Sequence, residues 1–494
     1  MNRWNYSLMM NHSTYCEIIS LRFAIKLILL ATVAMHTVSG IAQSGEASAE
    51  RVNVVLLVAD DLRADVMSVY GGPVATPNLE KLAARGCLFT RASCGYPICH
   101  VSRTEIVTGR SLVAEASSGK TIAFDPTWTT WPACMRQAGW HTVYSGKWHV
   151  QGTPNSRGYS ATSALYSGGG SAGKPLSFPR TPTGLAVTGY TGWTFKGADD
   201  KPLLEHGIGL TPTTDAIITQ GAVAAINHRS NRPLFLHVNF TAPHDPLFWP
   251  SGMENSYSAQ SITLPENFRD SHPFDHGNIV GRDEIVVPAP RSRAAVQAER
   301  AIYYGLVANL DKQVGMILET IDRNGGQWLI IFTSDQGLSL GSHGLMGKQN
   351  QYEHTANPPL IIAGKGIPTN RRLNTNCALR DLYPTCCELA GVPIPHSVQG
   401  KSLQRLINGH ASQVHPFVYG YFTDTQRMIR SEDGWKLIWY PKVARTQLFH
   451  TPSDPWELND LSQDSAHVRR KQDLARALNT WLQLQGDSAP RLKL

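Results

Sequence analysis

The segment of this chain that suggests chemistry most directly contains a cysteine followed closely by an arginine. Cys99 lies in the run CHVSRTEIVTGR, and Arg103 follows within a short apolar helix pattern that closes at Thr108, Gly109 and Arg110. A side chain in the first turn of a helix lies beside unpaired backbone N–H groups and the positive end of the helix dipole, which favour an anionic nucleophile or ligand. Because an isolated cysteine in a large chain is more often structural, the rest of the chain must decide.

Four apolar runs typical of buried strands are each followed by side chains that could bind a cation or a tetrahedral anion. The runs are VNVVLLV (52–58), HTVYS (141–145), LFLHVNF (234–240) and WLIIFTS (328–334). The side chains that follow them are, in chain order, Asp60 and Asp61, Lys147 and His149, His244, and Asp335 and Gln336. Because ligand sites of open α/β sheets form beyond the carboxyl ends of parallel strands, we expect these residues to converge.

Three carboxylates and one amide in this set suit a divalent cation. Asp60, Asp61, Asp335 and Gln336 offer the oxygen ligands that Ca²⁺ and Mg²⁺ prefer, with positions left for a substrate oxygen. In the sequence, no cluster of thiols or histidines at zinc spacing competes with them. One aspartate pair after a strand can equally cap a helix or form a turn. Two pairs at equivalent strand ends favour a cation site.

Longer motifs around these residues resemble the sulfatase family within the alkaline phosphatase superfamily. The segments that carry the resemblance are VADDLRAD, TPNLEKLAARG, the Cys99 segment, SGKWH, APHDP, FTSDQGLSLGSHGLMGK, DLYPTCCELAGVP and RMIRSEDGWKLIWY. The resemblance runs from about residue 52 to the C-terminal helix. It implies a sulfuric ester hydrolase in which a formylglycine-generating enzyme oxidises Cys99 to formylglycine, whose hydrate attacks sulfur.

The resemblance also implies a role for each candidate site residue. The implied ligands of the metal, conventionally calcium, are Asp60, Asp61, Cys99, Asp335 and Gln336. Arg103 would steady the formylglycine and the metal site, and His149 would act on the formylglycine hydroxyl. Lys147 and His244 would hold sulfate oxygens. Lys348, in the stretch GLMGK, would bind sulfate and help the leaving oxygen depart.

The residue types suit this chemistry without reference to the family. Cleavage of the S–O bond places negative charge on the leaving oxygen, so cations and preorganised donors lower the barrier. A lysine ammonium presents three donors to several oxygens at once. A geminal diol could attack sulfur with one hydroxyl and then eliminate sulfate with help from a base, for which His149 is the candidate. Taken singly, each histidine could equally be a core residue, and Lys348 a solvated loop charge.

One position departs from the family's CxPSR signature, because Val101 stands in place of the proline. The maturation enzyme reads this segment in an extended state, and proline both fixes φ and favours extension of the residue before it. Valine is β-branched and also favours extension. We therefore expect conversion of Cys99 to be possible but less efficient. Two alternatives stay open: an unmodified, inactive protein that binds sulfated glycans, and a phosphodiesterase or phosphonate hydrolase of the same superfamily.

Alternating strand and helix patterns predict an α/β fold. The resemblance implies that its sheet is large, mixed and mostly parallel and is flanked by helices, as in alkaline phosphatase. Helices are expected at TPNLEKLAARG and at residues 293–322. Residues 153–184 and 244–293 are predicted to be surface insertions near the mouth of the site, where they would select a substrate, expected to be a sulfated carbohydrate. The tail predicts a smaller α+β subdomain in which FVYGYF, RMIRS, WKLIWY and QLFH form a short antiparallel sheet before a helix near residues 472–484.

The predicted organisation has three parts, which are residues 1–42, 51–365 and 366–494. The first is an N-terminal extension and signal peptide, because Arg22 precedes the apolar run IKLILLATVAM, Lys26 lies at its beginning, and small residues precede a cleavage expected after Ala42. His36 and Thr37 interrupt that run, so no stable membrane anchor is expected. The mature protein would be exported, to the periplasm or the outside. The second part is the catalytic domain, and the third is a linker, including DLYPTCCELAGVPIPHSVQG, with the C-terminal subdomain.

Composition agrees with an enzyme of anionic substrates. The chain has 494 residues, of which 42% are hydrophobic, and this is enough for two cores. Its net charge of +7 suits an anionic partner. Basic and aromatic residues do not interleave as in nucleic-acid modules, so nucleic acid is not an expected partner. Apart from Cys16 and Cys99, six cysteines remain, and their spacing permits disulfides without specifying a connectivity.

Overall fold

The computed structural model describes residues 51–116, 122–169 and 173–493. The predicted signal peptide, residues 1–42, lies outside these ranges. Within them, no helix combines the length and apolar character needed to cross a bilayer.

The described elements alternate between strands and helices over most of the chain. The strands are β1 (Asn53–Ala59), β2 (Gly86–Phe89), β3 (Ala92–Ser93), β4 (His141–Trp148), β5 (Ala161–Gly168), β6 (Trp193–Lys196), β7 (Leu234–Asn239), β8 (Trp328–Ser334), β9 (Leu360–Gly364), β10 (Arg371–Leu373), β11 (Cys377–Ala378), β12 (Phe417–Phe422), β13 (Gln426–Ser431), β14 (Trp435–Tyr440) and β15 (Arg445–His450). The α-helices are α1 (Pro77–Ala84), α2 (Cys99–Thr108), α3 (Val113–Ala116), α4 (Trp131–Gln137), α5 (Thr214–Asn227), α6 (Arg293–Asn324), α7 (Glu353–Ala356), α8 (Leu382–Leu389), α9 (Gln404–Ile407) and α10 (Val468–Leu484).

Among the described residues, nine strands form one mixed sheet in the order β10, β2, β9, β8, β1, β7, β4, β5, β6. The five neighbours from β8 to β5 pair in parallel. Strand β9 is antiparallel to both of its neighbours, and β6 is antiparallel to β5. The predicted mixed, mostly parallel sheet is therefore confirmed.

Both faces of the centre of this sheet, at β1, β7 and β8, are buried. Along β1, the side chains of Val55 and Leu57 join one apolar cluster, and those of Val54 and Leu56 join another on the opposite face. Alternate residues of a strand point to opposite faces, so a strand covered on both sides is apolar throughout. The long helix α6 packs into the first cluster through its predicted apolar positions, such as Leu310. The predicted helices at α1 and α6 are both confirmed.

Two predictions about the connecting segments are wrong. Strand β5 lies within the predicted insertion 153–184, yet it pairs in parallel with β4 inside the large sheet. The segment predicted as a linker contains β10, which pairs with β2 of the same sheet, and the buried helix α8. In α8, the ring of Tyr383 stacks on Trp131 at 5.8 Å. The segment is therefore part of the hydrophobic core and is not a linker.

The predicted C-terminal antiparallel sheet is confirmed. Strands β12 to β15 pair in sequence as a meander. Helix α10 begins at Val468, earlier than predicted, and buries Leu474, Leu478 and Leu482 in a cluster with residues of the meander. The seven described cysteines are free thiols, and Cys134 and Cys387 have their sulfur atoms 4.0 Å apart.

Four buried histidines make the fold sensitive to acid. Burial lowers the pKa of His237, His276 and His343 to about 3 each, and that of His272 to about 4. An imidazole whose pKa is lowered by folding binds fewer protons in the folded state, so its stabilising effect is present above pH 6.5 and is lost as the pH falls. Each such group changes the free energy of unfolding by about 1.4 kcal/mol per pH unit.

Buried carboxyl groups act in the opposite direction at moderate pH. Burial raises the pKa of Asp215 to about 6 and that of Glu299 and Glu457 to about 7, so the folded state holds protons that the unfolded chain releases above pH about 4. We expect the free energy of unfolding to fall only gently between pH 6.5 and about 4.5. Below pH about 4, where unfolded carboxyls also bind protons, it should fall by several kcal/mol per pH unit. Urea unfolding at pH 7, 5.5, 4.5 and 3.5 measures this, and an even decline from pH 7 would contradict it.

Candidate active site

The register of two parallel strands, β1 and β8, brings the predicted aspartates together. Ala59 pairs with Ser334, so Asp60 and Asp335 leave neighbouring strands at the same height. Asp61 adopts a left-handed φ of +66°, and its backbone N–H donates to Asp335 Oδ1 at 3.1 Å. The two aspartate-bearing segments are therefore linked directly, as expected from their positions after β1 and β8.

Gln336 connects this acidic cluster to Cys99. Its Nε2 donates to Asp61 Oδ1 at 2.6 Å and to Cys99 Sγ at 3.2 Å. Gln336 Oε1 is a buried oxygen without a hydrogen-bond partner, while Asp335 Oδ2 is buried beside the Arg103 guanidinium, 2.9 Å from its Nη2. A buried oxygen without a partner is costly unless a cation or a donor meets it, so Gln336 Oε1 and the carboxylates beside it fit a hard divalent ion.

Cys99 is the first residue of α2, and it is only 2% exposed. Ile98 before it is extended, with a φ of −147°. The thiol donates to Asp60 Oδ1 at 3.2 Å, and Ser102 Oγ donates to the backbone oxygen of Asp335 at 2.7 Å. The first turn of α2 therefore lies directly against the ends of β1 and β8.

Arg103 lies one turn further along α2 and neutralises part of the acidic cluster. Its Nη2 forms ion pairs with Asp335 Oδ2 at 2.9 Å and Asp60 Oδ1 at 3.3 Å. Burial lowers the pKa of Arg103, but Asp335 and Asp60 raise it above its usual value, so the guanidinium stays charged. Its Nη1 donates to Asn239 Oδ1 at 2.5 Å. Asn239, the last residue of β7, was missed from the sequence, although a polar residue at that strand end is the signal used for the other strands.

Lys147 lies inside β4, which extends to Trp148, so the prediction that this lysine follows the strand is wrong. Its ammonium forms an ion pair with Asp60 Oδ2 and lies 4.9 Å from the centre of the Tyr190 ring. The Tyr190 hydroxyl donates to the same carboxylate oxygen at 2.6 Å. Gly146 has a φ of +96°, and a Cβ there would lie 2.0 Å from the backbone oxygen of Asn239. Only glycine fits at this close approach of β4 to β7.

Lys348 and His244 meet on the other side of the cluster. Lys348 Nζ donates to Asp61 Oδ2 at 2.8 Å and lies 2.6 Å from His244 Nε2, while His244 Nδ1 lies 3.1 Å from Asp245 Oδ1. Burial lowers the pKa of Lys348, but Asp61 and other acidic groups raise it well above its usual value. The ammonium therefore stays charged, in direct contact with Asp61 and His244.

His149 stands apart from the thiol and contacts other rings. Its imidazole lies 5.4 Å from the ring of Trp193 and 5.6 Å from that of His100, measured between ring centres. Burial, and next the charge of Lys147, hold the pKa of His149 well below its usual value. The imidazole is therefore neutral at pH 7, and its buried Nδ1 has no hydrogen-bond partner. A neutral ring with an unpaired nitrogen is able to accept a proton.

The structure thus gathers all the predicted site residues around one end of the sheet, with His149 at the edge. Donor atoms of Asp60, Asp61, Cys99 and His244 all lie within 4.8 Å of one another. Three carboxylates face three permanent cations, Arg103, Lys147 and Lys348. Sequence reasoning missed Tyr190 because no pattern distinguishes it within its glycine- and threonine-rich segment.

Comparison with known families agrees with this geometry. The sequence model of the Sulfatase family matches residues 52–392, and that of the C-terminal part of N-sulphoglucosamine sulphohydrolase matches residues 341–483. The chain belongs to the sulfatase family. This confirms the resemblance derived from the motifs and makes the protein a sulfuric ester hydrolase.

Individual sulfatases and related enzymes share its sequence or fold. An arylsulfatase of Clostridium perfringens (strain 13 / Type A) is 27% identical to this chain over 461 residues. The alignment covers 86% of this chain and 93% of the arylsulfatase. The solved structure of a protein in complex with its substrate, D-glucosamine-2-N,6-O-disulfate, matches with a TM-score of 0.70 at 21% identity. The match covers 90% of this chain and all of that protein's chain. The structure of the phosphonate monoester hydrolase of Agrobacterium radiobacter matches with a TM-score of 0.69 at 20% identity. The match covers 88% of this chain and 96% of the hydrolase chain. These two structures show the fold alone.

Proposed function

We propose that this sulfatase hydrolyses sulfate esters of a sulfated carbohydrate through a formylglycine derived from Cys99 and a bound divalent cation. The observation that carries the proposal is the buried contact of Cys99 with Asp60 and Gln336, beside two lysines held by the same acidic cluster. A thiol in this position contacts two of the proposed metal ligands, Asp60 and Gln336, and lies near cationic groups that could bind an oxyanion. The carbohydrate part is supported by the sugar named for the solved neighbour and by the sulphohydrolase match of the C-terminal region.

The cation we propose is Ca²⁺, with Mg²⁺ as the alternative. Its ligands would be Asp60, Asp61, Asp335, Gln336 and the modified side chain of Cys99, and the unpaired Oε1 of Gln336 supports this assignment. When bound, the cation would stabilise negative charge on the nucleophile and on the sulfate. His244 also lies in this set, but its Nε2 lies 2.6 Å from the Lys348 ammonium, so we assign it to the sulfate side.

The chain's own residues supply binding and proton transfer. Formylglycine at residue 99 would provide a hydrated aldehyde as the nucleophile. Lys147 and Lys348 would bind sulfate oxygens from two sides, and Lys348 would support the leaving oxygen together with His244. Neutral His149 would accept a proton at its unpaired Nδ1 during release of sulfate.

The maturation step is part of the proposal. Residues 99–103 form the first turns of α2, and only His100 among them is exposed, so an enzyme that reads an extended segment must act before α2 folds. A formylglycine-generating enzyme would be the partner at this stage, followed by export to the periplasm or the outside, directed by residues 1–42. The Val101 side chain is buried in the same apolar cluster as Leu112 and Tyr421, so the folded site accommodates the valine.

Val101→Pro is expected to raise the fraction of Cys99 converted to formylglycine by at least about twofold, because proline favours extension of the residue before it. Position 101 is the third residue of α2, where a proline removes no intrahelical hydrogen bond. Mass spectrometry of the Cys99 peptide, after expression with the maturation enzyme, gives the converted fraction. A thiol that is unmodified in both proteins would refute the formylglycine assignment.

The second candidate function is hydrolysis of phosphonate or phosphate esters, favoured by the fold shared with the phosphonate monoester hydrolase. A site with a metal and several cations can serve both tetrahedral anions. We expect kcat/KM for a nitrophenyl sulfate to exceed that for the matching phosphate and phosphonate esters. Measuring the three esters with one enzyme preparation tests this, and a preference for phosphonate would favour the second candidate.

A further inference from the structure

A cavity of about 580 Å³ adjoins the site on the side of His149. It is lined by His149 and by His100, the residue that follows Cys99. Burial, and then the charges of Lys147 and Lys348, lower the pKa of His100, so the field of the two lysines reaches this wall. The volume lies within the range of small-molecule sites. A ligand whose sulfate reaches Cys99 would therefore place its remaining atoms here.

The walls of the cavity combine apolar surfaces with a few polar groups. Trp148, Val150 and Leu165 supply apolar faces that suit the C–H faces of a sugar ring. The Trp148 Nε1 donates to the backbone oxygen of Gly152 at 2.6 Å and so holds the loop that forms one wall. Because this wall is anchored, polar groups opposite it can distinguish substituents of the ring.

Lys196 and Asp200 carry the full charges among the described residues that line the cavity. Lys196 ends strand β6, and its side chain is only 14% exposed. Its Nζ lies 3.4 Å from Asp200 Oδ1, while the Asp200 side chain is 71% exposed on the following turn. A long contact to an exposed carboxylate contributes little, so Asp200 can yield to another anion at small cost.

We propose that Lys196 binds a second anionic group, a carboxylate or a further sulfate, on the saccharide whose sulfate ester lies against Cys99. The assignment rests on the proposed function and deepens it, because it makes this sulfatase selective for saccharides with two or more charges. A mostly buried ammonium interacts with an anion more strongly than an exposed one does, since less water screens the pair. Lys196 is then a residue that determines specificity, outside the reacting atoms.

The test compares Lys196→Met with Lys201→Met. Lys201 lies on the same turn, is 80% exposed and pairs with Asp199 at 2.8 Å, so its removal costs the protein the same charge away from the cavity. Three disaccharides share one sulfate ester and differ in a second group, which is a hydroxyl, a carboxylate or another sulfate. Values of kcat/KM are measured for each variant, and calorimetry measures binding of the same disaccharides in a Cys99→Ala background, which does not depend on turnover.

Lys196→Met is expected to lower the preference for a doubly charged over the singly charged disaccharide by at least about tenfold, in both kcat/KM and affinity. Lys201→Met should leave that preference unchanged. Of the two doubly charged disaccharides, the one whose preference falls more in Lys196→Met identifies the bound group as a carboxylate or a sulfate. Equal losses for all three disaccharides, or no change in preference, would overturn the assignment. A wild-type enzyme that hydrolyses no sulfate ester would refute the proposed function instead, while the calorimetric preference would still decide the role of Lys196.

Discussion

Replacing Cys99 by alanine is expected to lower kcat for sulfate-ester hydrolysis by at least about a thousandfold, because the variant lacks the side chain from which the nucleophile is made. The fold should survive, since the thiol is small and its contacts are a weak hydrogen bond to Asp60 and one from Gln336. Initial rates with an aryl sulfate and with a sulfated disaccharide measure the loss. Thermal unfolding verifies that the variant is folded.

Cys94 provides the matched control. It is a buried cysteine five residues earlier whose sulfur donates to the backbone oxygen of Tyr96 at 3.2 Å and to Ser102 Oγ at 3.5 Å, and not to the carboxylates of the site. Cys94→Ala should therefore change stability but keep kcat within about twofold of the wild-type value. Turnover by Cys99→Ala at a wild-type rate would show that another residue is the nucleophile. An equal loss in both variants would point to damaged packing in place of lost chemistry.

The site residues could be named from the sequence because their signal is local. Asp60 and Asp335 each follow a strand with a continuous apolar stretch, residues 54–59 and 328–332, and such a stretch predicts a strand covered on both faces. What the runs do not reveal is that β1 and β8, far apart in the chain, are neighbours in register. The motif resemblance supplied that step, and the pairing of Ala59 with Ser334 explains it physically.

The missed features have weak local signals for identifiable reasons. Strand β5 is rich in serine, alanine and glycine, and five of its eight residues are exposed or partly exposed, so no period-two apolar pattern marks it. Helix α8 contains Pro384, which made its segment resemble a linker. That proline is the third helical residue, where it removes no intrahelical hydrogen bond. Tyr190 acts through its hydroxyl on Asp60 from a segment with no regular structure, and only the tertiary fold reveals that contact.

The same tertiary contacts lead to a strong coupling between the cation and sulfate. In the structure, Lys147 binds Asp60 and Lys348 binds Asp61, so both ammonium groups that should hold sulfate are paired with proposed metal ligands. A divalent cation on these carboxylates would compete for their charge and leave the lysines free to meet an anion. Cation and sulfate should therefore each increase the affinity for the other, by the same factor.

We expect removal of Ca²⁺ with a chelator to abolish turnover and to weaken the binding of inorganic sulfate by at least about tenfold, which corresponds to a coupling of about 1.4 kcal/mol. Calorimetric titration of sulfate with and without Ca²⁺ measures the effect, and saturating Ca²⁺ should raise the melting temperature because only the folded protein holds the site.

Asp335→Asn should lose most of both effects, the gain in sulfate affinity and the rise in melting temperature. Asp65→Asn is the control, since Asp65 pairs with Arg63 at 2.7 Å, and it should lower the starting melting temperature but keep the increment from Ca²⁺. A sulfate affinity that does not change with Ca²⁺ would mean that the lysines bind the anion while they are still paired with Asp60 and Asp61. The proposal that the cation frees the lysines by taking over the carboxylates would then be wrong.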